Sequence, residues 1–118
     1  KVLKKSDIII VSLPLTEETR RLINKDKIEN MKNRSVFINI SRGGVINEGD
    51  LIEAIQRGKF LGVALDVFEE EPLSKDSPLW DLENVIITPH NSFVSDKSNE
   101  KLIKLIITNL IKYINYSK

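Results

Sequence analysis

Arg42, Glu71 and His90 each stand just past a stretch that reads as a buried strand. They are a cation, a carboxylate and the chain's one histidine, parts suited to acid–base chemistry on an anionic substrate. In a parallel sheet the strand ends open on a common crevice, so residues distant in sequence can meet there. Taken singly, each has an ordinary reading. Arg42 serves equally as a surface arginine or as the partner of a helix end. Glu71 belongs to the acidic run Glu69-Glu70-Glu71, whose plain reading is a solvated loop face. A lone histidine is more often structural than catalytic. Taken jointly, three such groups at one sheet edge, flanked by turn formers, point to a site. Gly43 and Gly44 would let the backbone approach a ligand closely, and Pro89 restricts the chain before His90. Asp66, also at a strand end, has a plain alternative as a loop-capping aspartate that accepts from nearby amides.

The elements that must position these residues show in the hydrophobic pattern. Ile8-Ile9-Ile10-Val11 is an unbroken β-branched run, which reads as a strand covered on both faces. Further strands are expected over Val36-Phe37-Ile38-Asn39-Ile40, Gly62-Val63-Ala64-Leu65 and Val85-Ile86-Ile87. Between them lie helix signals. Asn24 can cap a short helix bearing Ile28 and Met31, with Ile23 and Ile28 spaced as a hydrophobic staple. Asn47 can cap a second helix with Asp50 at its third position and Leu51, Ile52 and Ile55 facing inward, and Gly58 is placed to end it in the left-handed conformation. The long segment 67–84 carries the acidic run and the turn formers Pro72 and Pro78, and loops of that length are usually functional or disordered. After His90 a terminal helix is expected, with Leu102, Ile103, Leu105, Ile106, Leu110 and Ile114 as an apolar stripe. Strands alternating with helices imply an α/β, right-handed parallel arrangement.

Composition limits the alternatives. The 118 residues fit one domain with a core that needs no staples. Lysine and arginine total 18 against 17 acids, so no nucleic-acid partner is implied. The absence of cysteine excludes disulfides and thiolate metal sites, and no metal cluster is expected. No apolar run is long enough to span a bilayer and none resembles a signal peptide, so the default is a cytoplasmic protein with no membrane association.

Four segments then make the pattern specific: VSLPLTEETRRLI (11–23), NISRGGVINEGDL (39–51), ALDVFEEEP (64–72) and ITPHNSF (87–93). In order and spacing they resemble the D-isomer-specific 2-hydroxyacid dehydrogenases, over the second half of that family's dinucleotide-binding domain. The resemblance implies a partial doubly wound, Rossmann-like parallel sheet with flanking helices, lacking the first βαβ half. Residues 1–95 would form that half-domain, and 96–118 a terminal helix that packs on the sheet or leads toward a substrate domain. It further implies that Arg42 binds and polarises a 2-oxo acid, that His90 is the acid–base, and that Glu71 supports His90. Leu13, Pro14, Thr19, Ile40, Ser41 and Arg42 would line the cofactor pocket, with Asp66 near the nicotinamide carboxamide or ribose. Glu69 and Glu70 receive no task and are expected to be solvated. NAD is the implied cofactor, NADP not being excluded, the partner a small 2-hydroxy or 2-oxo acid, and the intact protein a homodimer.

The chain also departs from that pattern. No GxGxxG follows a first strand, and no acidic residue after a second strand is available to hold a ribose. A fragment, inactive alone, is therefore expected. Phe93 is expected to pack at the start of the last helix; facing the cleft instead, it would narrow the substrate pocket. Two other readings compete: a non-catalytic module of the same fold that senses NAD or binds protein, and a stand-alone α/β scaffold associating through a sheet edge.

Overall fold

The computed structural model describes residues 2–92 and 94–116; the expectation for Phe93 lies outside them. Strand β1 (Ile8–Val11) leads through helix α1 (Lys25–Glu29) to β2 (Ser35–Asn39). A 3-10 turn (Gly43–Val45) and helix α2 (Glu48–Gln56) follow, then β3 (Phe60–Leu65), a second 3-10 turn (Pro78–Asp81), β4 (Val85–Ile87) and α3 (Ser98–Tyr116). The strands form one sheet in the order β1-β2-β3-β4, every pair parallel.

The caps stand where the side chains predict them. Asn24 Oδ1 accepts from Lys27 N–H, and Asn47 Oδ1 accepts from Asp50 N–H at 3.2 Å. Gly58, at φ 73°, closes α2 by donating its N–H to Ile55 O, while Lys59 N–H returns to Ala54 O. A side chain here would strain the backbone, since left-handed geometry suits glycine. Strands β2 and β3 begin earlier than their apolar runs because Ser35 pairs with Phe60, a register that shifts by a bulge before Val36 meets Gly62.

The core lies on one side of the sheet. Ile9, Phe37, Val63 and Leu65 pack with Ile28 and Met31 and with Leu51, Ala54 and Ile55 from α2. Phe37 and Phe60 stack at 5.6 Å between ring centres, tilted by 44°. The expectation that β1 is covered on both faces is corrected: Ile8 is 61% and Ile10 58% exposed, and Ile86 on β4 67%. Both crossover helices lie against the face carrying Ile9 and Phe37, so the alternate residues are left uncovered. No residue of α3 is buried among those described, so its apolar stripe does not cover the sheet here. The molecule is correspondingly elongated, 64 × 34 × 25 Å.

Candidate active site

Arg42 leaves β2 on a mount built by Asn39. The Asn39 side chain, 1% exposed, accepts at Oδ1 from Ser41 Oγ (2.8 Å) and from Ser41 N–H (3.1 Å). Its amide also reaches Arg42 O at 3.4 Å. This side-chain turn fixes the chain immediately after the strand. The Arg42 guanidinium donates to Ser41 O at 2.7 Å and is otherwise directed to the surface.

Glu71 and His90 are joined directly. His90 Nδ1 lies 2.7 Å from Glu71 Oε2, while Glu71 Oε1 accepts from Phe68 N–H at 3.0 Å. Both side chains are about one-third exposed, at 36% for His90 and 34% for Glu71. Burial pushes the Glu71 carboxyl upward, but the His90 and Phe68 bonds and the charges of His90 and Arg42 together hold it below the usual range. The Arg42 charge is the smallest of these influences; Glu71 and His90 are joined directly, while Arg42 stands after the neighbouring strand β2.

Asp66 holds the loop that carries His90. Its carboxylate, 3% exposed, accepts from Thr88 Oγ1 (2.5 Å), Asn91 N–H (2.9 Å) and Ser92 N–H (3.0 Å). Burial alone would raise this carboxyl; the bonds from Thr88, Ser92 and Asn91 outweigh it and set its pKa at about 2. Between those anchors His90 takes φ 52°, a left-handed conformation uncommon for residues other than glycine. The loop-capping reading of Asp66 is thus what the hydrogen bonds describe.

Two hollows border the trio. One of about 480 Å³ is lined by Phe68, Pro72, Leu73, Trp80 and Ile87 together with Glu71 and His90. The other, about 540 Å³, is lined by Leu13, Pro14, Ile40, Ser41 and Arg42 among others. Five of the residues expected to line a cofactor pocket therefore gather in one concavity. Thr19 stands behind it as a brace, donating from Oγ1 to Pro14 O at 2.7 Å and accepting from Thr16 N–H. Asp66 lines neither hollow.

Two expectations change. Gly43 does bring backbones together, but its neighbour is the chain's own loop: a Cβ there would lie 1.8 Å from Phe68 O. Glu69 is not simply solvated, since its carboxylate meets Arg21 Nε at 3.1 Å and its N–H donates to Glu48 Oε2 at 3.0 Å. Sequence reasoning also passed over Asn39 and Thr88 as supports; a polar Asn inside an apolar strand run was the available signal for the first. Among the described residues no cluster of side chains could hold a metal ion, and no helix is long and apolar enough to cross a membrane.

Comparison with known proteins identifies the family to which the fold belongs. Residues 1–92 match the family pattern described as D-isomer specific 2-hydroxyacid dehydrogenase, NAD binding domain. A glyoxylate/hydroxypyruvate reductase B from Cronobacter sakazakii is 41% identical over 114 residues, covering 97% of this chain and 35% of that protein. The chain thus spans about a third of the length of such relatives. A D-isomer specific 2-hydroxyacid dehydrogenase family protein from Aeromonas salmonicida superposes with a TM-score of 0.87 at 41% identity, over 97% of this chain and 36% of that one. D-lactate dehydrogenase from Aquifex aeolicus, solved with NAD and lactic acid, gives 0.80 at 37% identity, over 97% and 39%.

Proposed function

Because this chain belongs to the D-isomer specific 2-hydroxyacid dehydrogenase family, we propose that it forms the catalytic half-site of a nicotinamide-dependent oxidoreductase interconverting a small 2-oxo acid and a D-2-hydroxy acid. The observation that carries the reading is the 2.7 Å contact between His90 Nδ1 and Glu71 Oε2. The hollow lined by Leu13, Pro14, Ile40, Ser41 and Arg42 suits the nicotinamide end of NAD or NADP, lying where parallel strands terminate. A nicotinamide held there supplies or accepts the hydride.

The chain's own residues account for the charge and the proton. Reducing a 2-oxo acid builds negative charge on its carbonyl oxygen. The Arg42 guanidinium stabilises that charge and pairs in planar fashion with the substrate carboxylate. Glu71, accepting at Oε2, directs the His90 ring so that Nε2 gives the proton in reduction and takes it in oxidation. Asp66 keeps the His90 loop in place through Thr88, Asn91 and Ser92. The chemistry of its relatives makes glyoxylate and hydroxypyruvate the first substrates to try.

The test is steady-state oxidation of NADH and NADPH by the intact protein with those 2-oxo acids. Activity that falls about 10²–10⁴-fold in His90→Gln supports the assignment. A protein that binds the dinucleotide equally well with and without His90 and reduces none of these acids is a sensor of the same fold, and the reading fails.

A further inference from the structure

The segment just ahead of Glu71 is tied down at several points that the proposed chemistry does not use. Gly43 lies against the Phe68 carbonyl closely enough that any side chain there would collide with it. One residue on, the Glu69 N–H donates to Glu48 Oε2 at 3.0 Å. The Glu69 carboxylate meets Arg21, whose backbone at φ 48° donates its N–H to Gly44 O at 2.8 Å. The start of α2, which carries Glu48, is itself fixed by the Asn47 cap. The Phe68 N–H then holds one oxygen of Glu71 and His90 Nδ1 the other. The carboxylate that orients the imidazole is therefore placed by a short stretch of backbone, and that stretch by α2 and the 3-10 turn after β2.

We propose that Glu48 is a positioning residue for His90: by clasping the Glu69 amide, with the Arg21–Glu69 pair as a lesser tie, it sets Glu71 so that the neutral imidazole carries its proton on Nδ1. The catalytic consequence rests on the function proposed above, but the geometry does not. The Arg21–Glu69 pair joins two side chains open to water, at 61% and 30% exposure, and is the weaker tie. The Glu48 bond is charge-assisted and made to a backbone donor on the loop itself.

The consequence can be read without turnover, because the chain has one histidine. In the ¹⁵N spectrum of the neutral ring, Nδ1 facing a carboxylate must be the protonated nitrogen. Glu71→Ala removes that acceptor and is expected to move the ring toward the Nε2–H tautomer. Glu48→Ala is expected to move it in the same direction. Glu48→Gln, whose amide oxygen still accepts from Glu69, is expected to keep the native pattern, and Arg21→Ala to give a smaller change than Glu48→Ala. In the intact protein, Glu48→Ala should lower kcat by about three- to tenfold with KM little changed, as expected for misplacement of a reacting group. A folded Glu48→Ala chain with the native tautomer overturns the proposal. If that variant does not fold, Glu48→Met, which keeps the apolar stem and lacks the acceptor, decides the question in the same way. A Glu71→Ala chain with an unchanged tautomer would instead remove the Glu71–His90 pairing on which the proposed function stands, a separate result.

Discussion

Arg42 and His90 were legible as candidates because each follows an apolar run, and the run tells where a strand ends. Their removal is expected to act differently. Under the proposed function, Arg42→Gln should cost about 10²–10³ in turnover, through loss of charge stabilisation at the carbonyl oxygen. On the same proposal His90 variants would lack the proton carrier and should lose more. Asp66 is where sequence was least decisive, since a ligand contact and a loop cap look alike at a strand end. Its hydrogen bonds give a prediction of definite sign. With the folded carboxyl at about 2 against an ordinary 3.8, ionised Asp66 stabilises the fold above that ordinary value. The contribution is lost as pH falls toward 2. Asp66→Asn should lower stability by about 2–3 kcal/mol at neutral pH in denaturant unfolding, and flatten the acid limb. Glu48 has the opposite sign. Burial raises its carboxyl above the usual range despite the Glu69 bond, so its contribution is greatest at low pH and is lost as pH rises through the raised value. Glu48→Gln keeps the acceptor without the charge, and its melting temperature at pH 7 should match or exceed the native one by ~1–3 °C. Neither that clasp nor the task of Glu69 could be read from the acidic run, because the partner of Glu48 is a backbone amide, and an amide has no signature in a sequence.

Helix ends were the most readable part of the fold. Asn24, Asn47 and Gly58 act through local geometry, a side chain or a φ angle within one turn, and such features survive any tertiary context. Asn47→Ala should cost about 1 kcal/mol by thermal or chemical unfolding. Gly58→Ala meets no atom within 4 Å. Its expected loss, also about 1 kcal/mol, is therefore conformational. Gly43→Ala is of another kind. The collision with Phe68 must displace either the 3-10 turn or the loop bearing Glu71, and the His90 ring signals should shift with it. The strand boundaries were less readable, since β2 and β3 start where their partner lets them pair. The faces of β1 differ from expectation for a related reason: an Ile-Ile-Ile-Val run states that burial is possible on both sides, while what lies across each side is settled by elements elsewhere in the chain.

For the whole molecule, that one-sided packing has a measurable outcome. Ile8, Ile10, Leu61 and Ile86 are exposed on the strands, and α3 adds Leu102, Ile106 and Leu110. Exposed apolar side chains on a sheet face and along a helix favour association. The 118-residue chain by itself should bind a hydrophobic dye and scatter light as more than a monomer, and Ile8→Lys with Ile10→Lys should reduce both signals. The parallel order of the strands was legible from the alternation of runs and caps; the outward course of α3 was not, since its stripe fits a sheet face or any other apolar surface equally well. A practical benefit follows from the hollow beside His90. Its wall includes Trp80, the chain's one tryptophan, half exposed and tethered through its indole N–H to Ser74 O at 2.8 Å. The protein thus has a built-in fluorophore at the mouth of that chamber. Whatever enters can be followed by the colour and intensity of its emission, with no label attached.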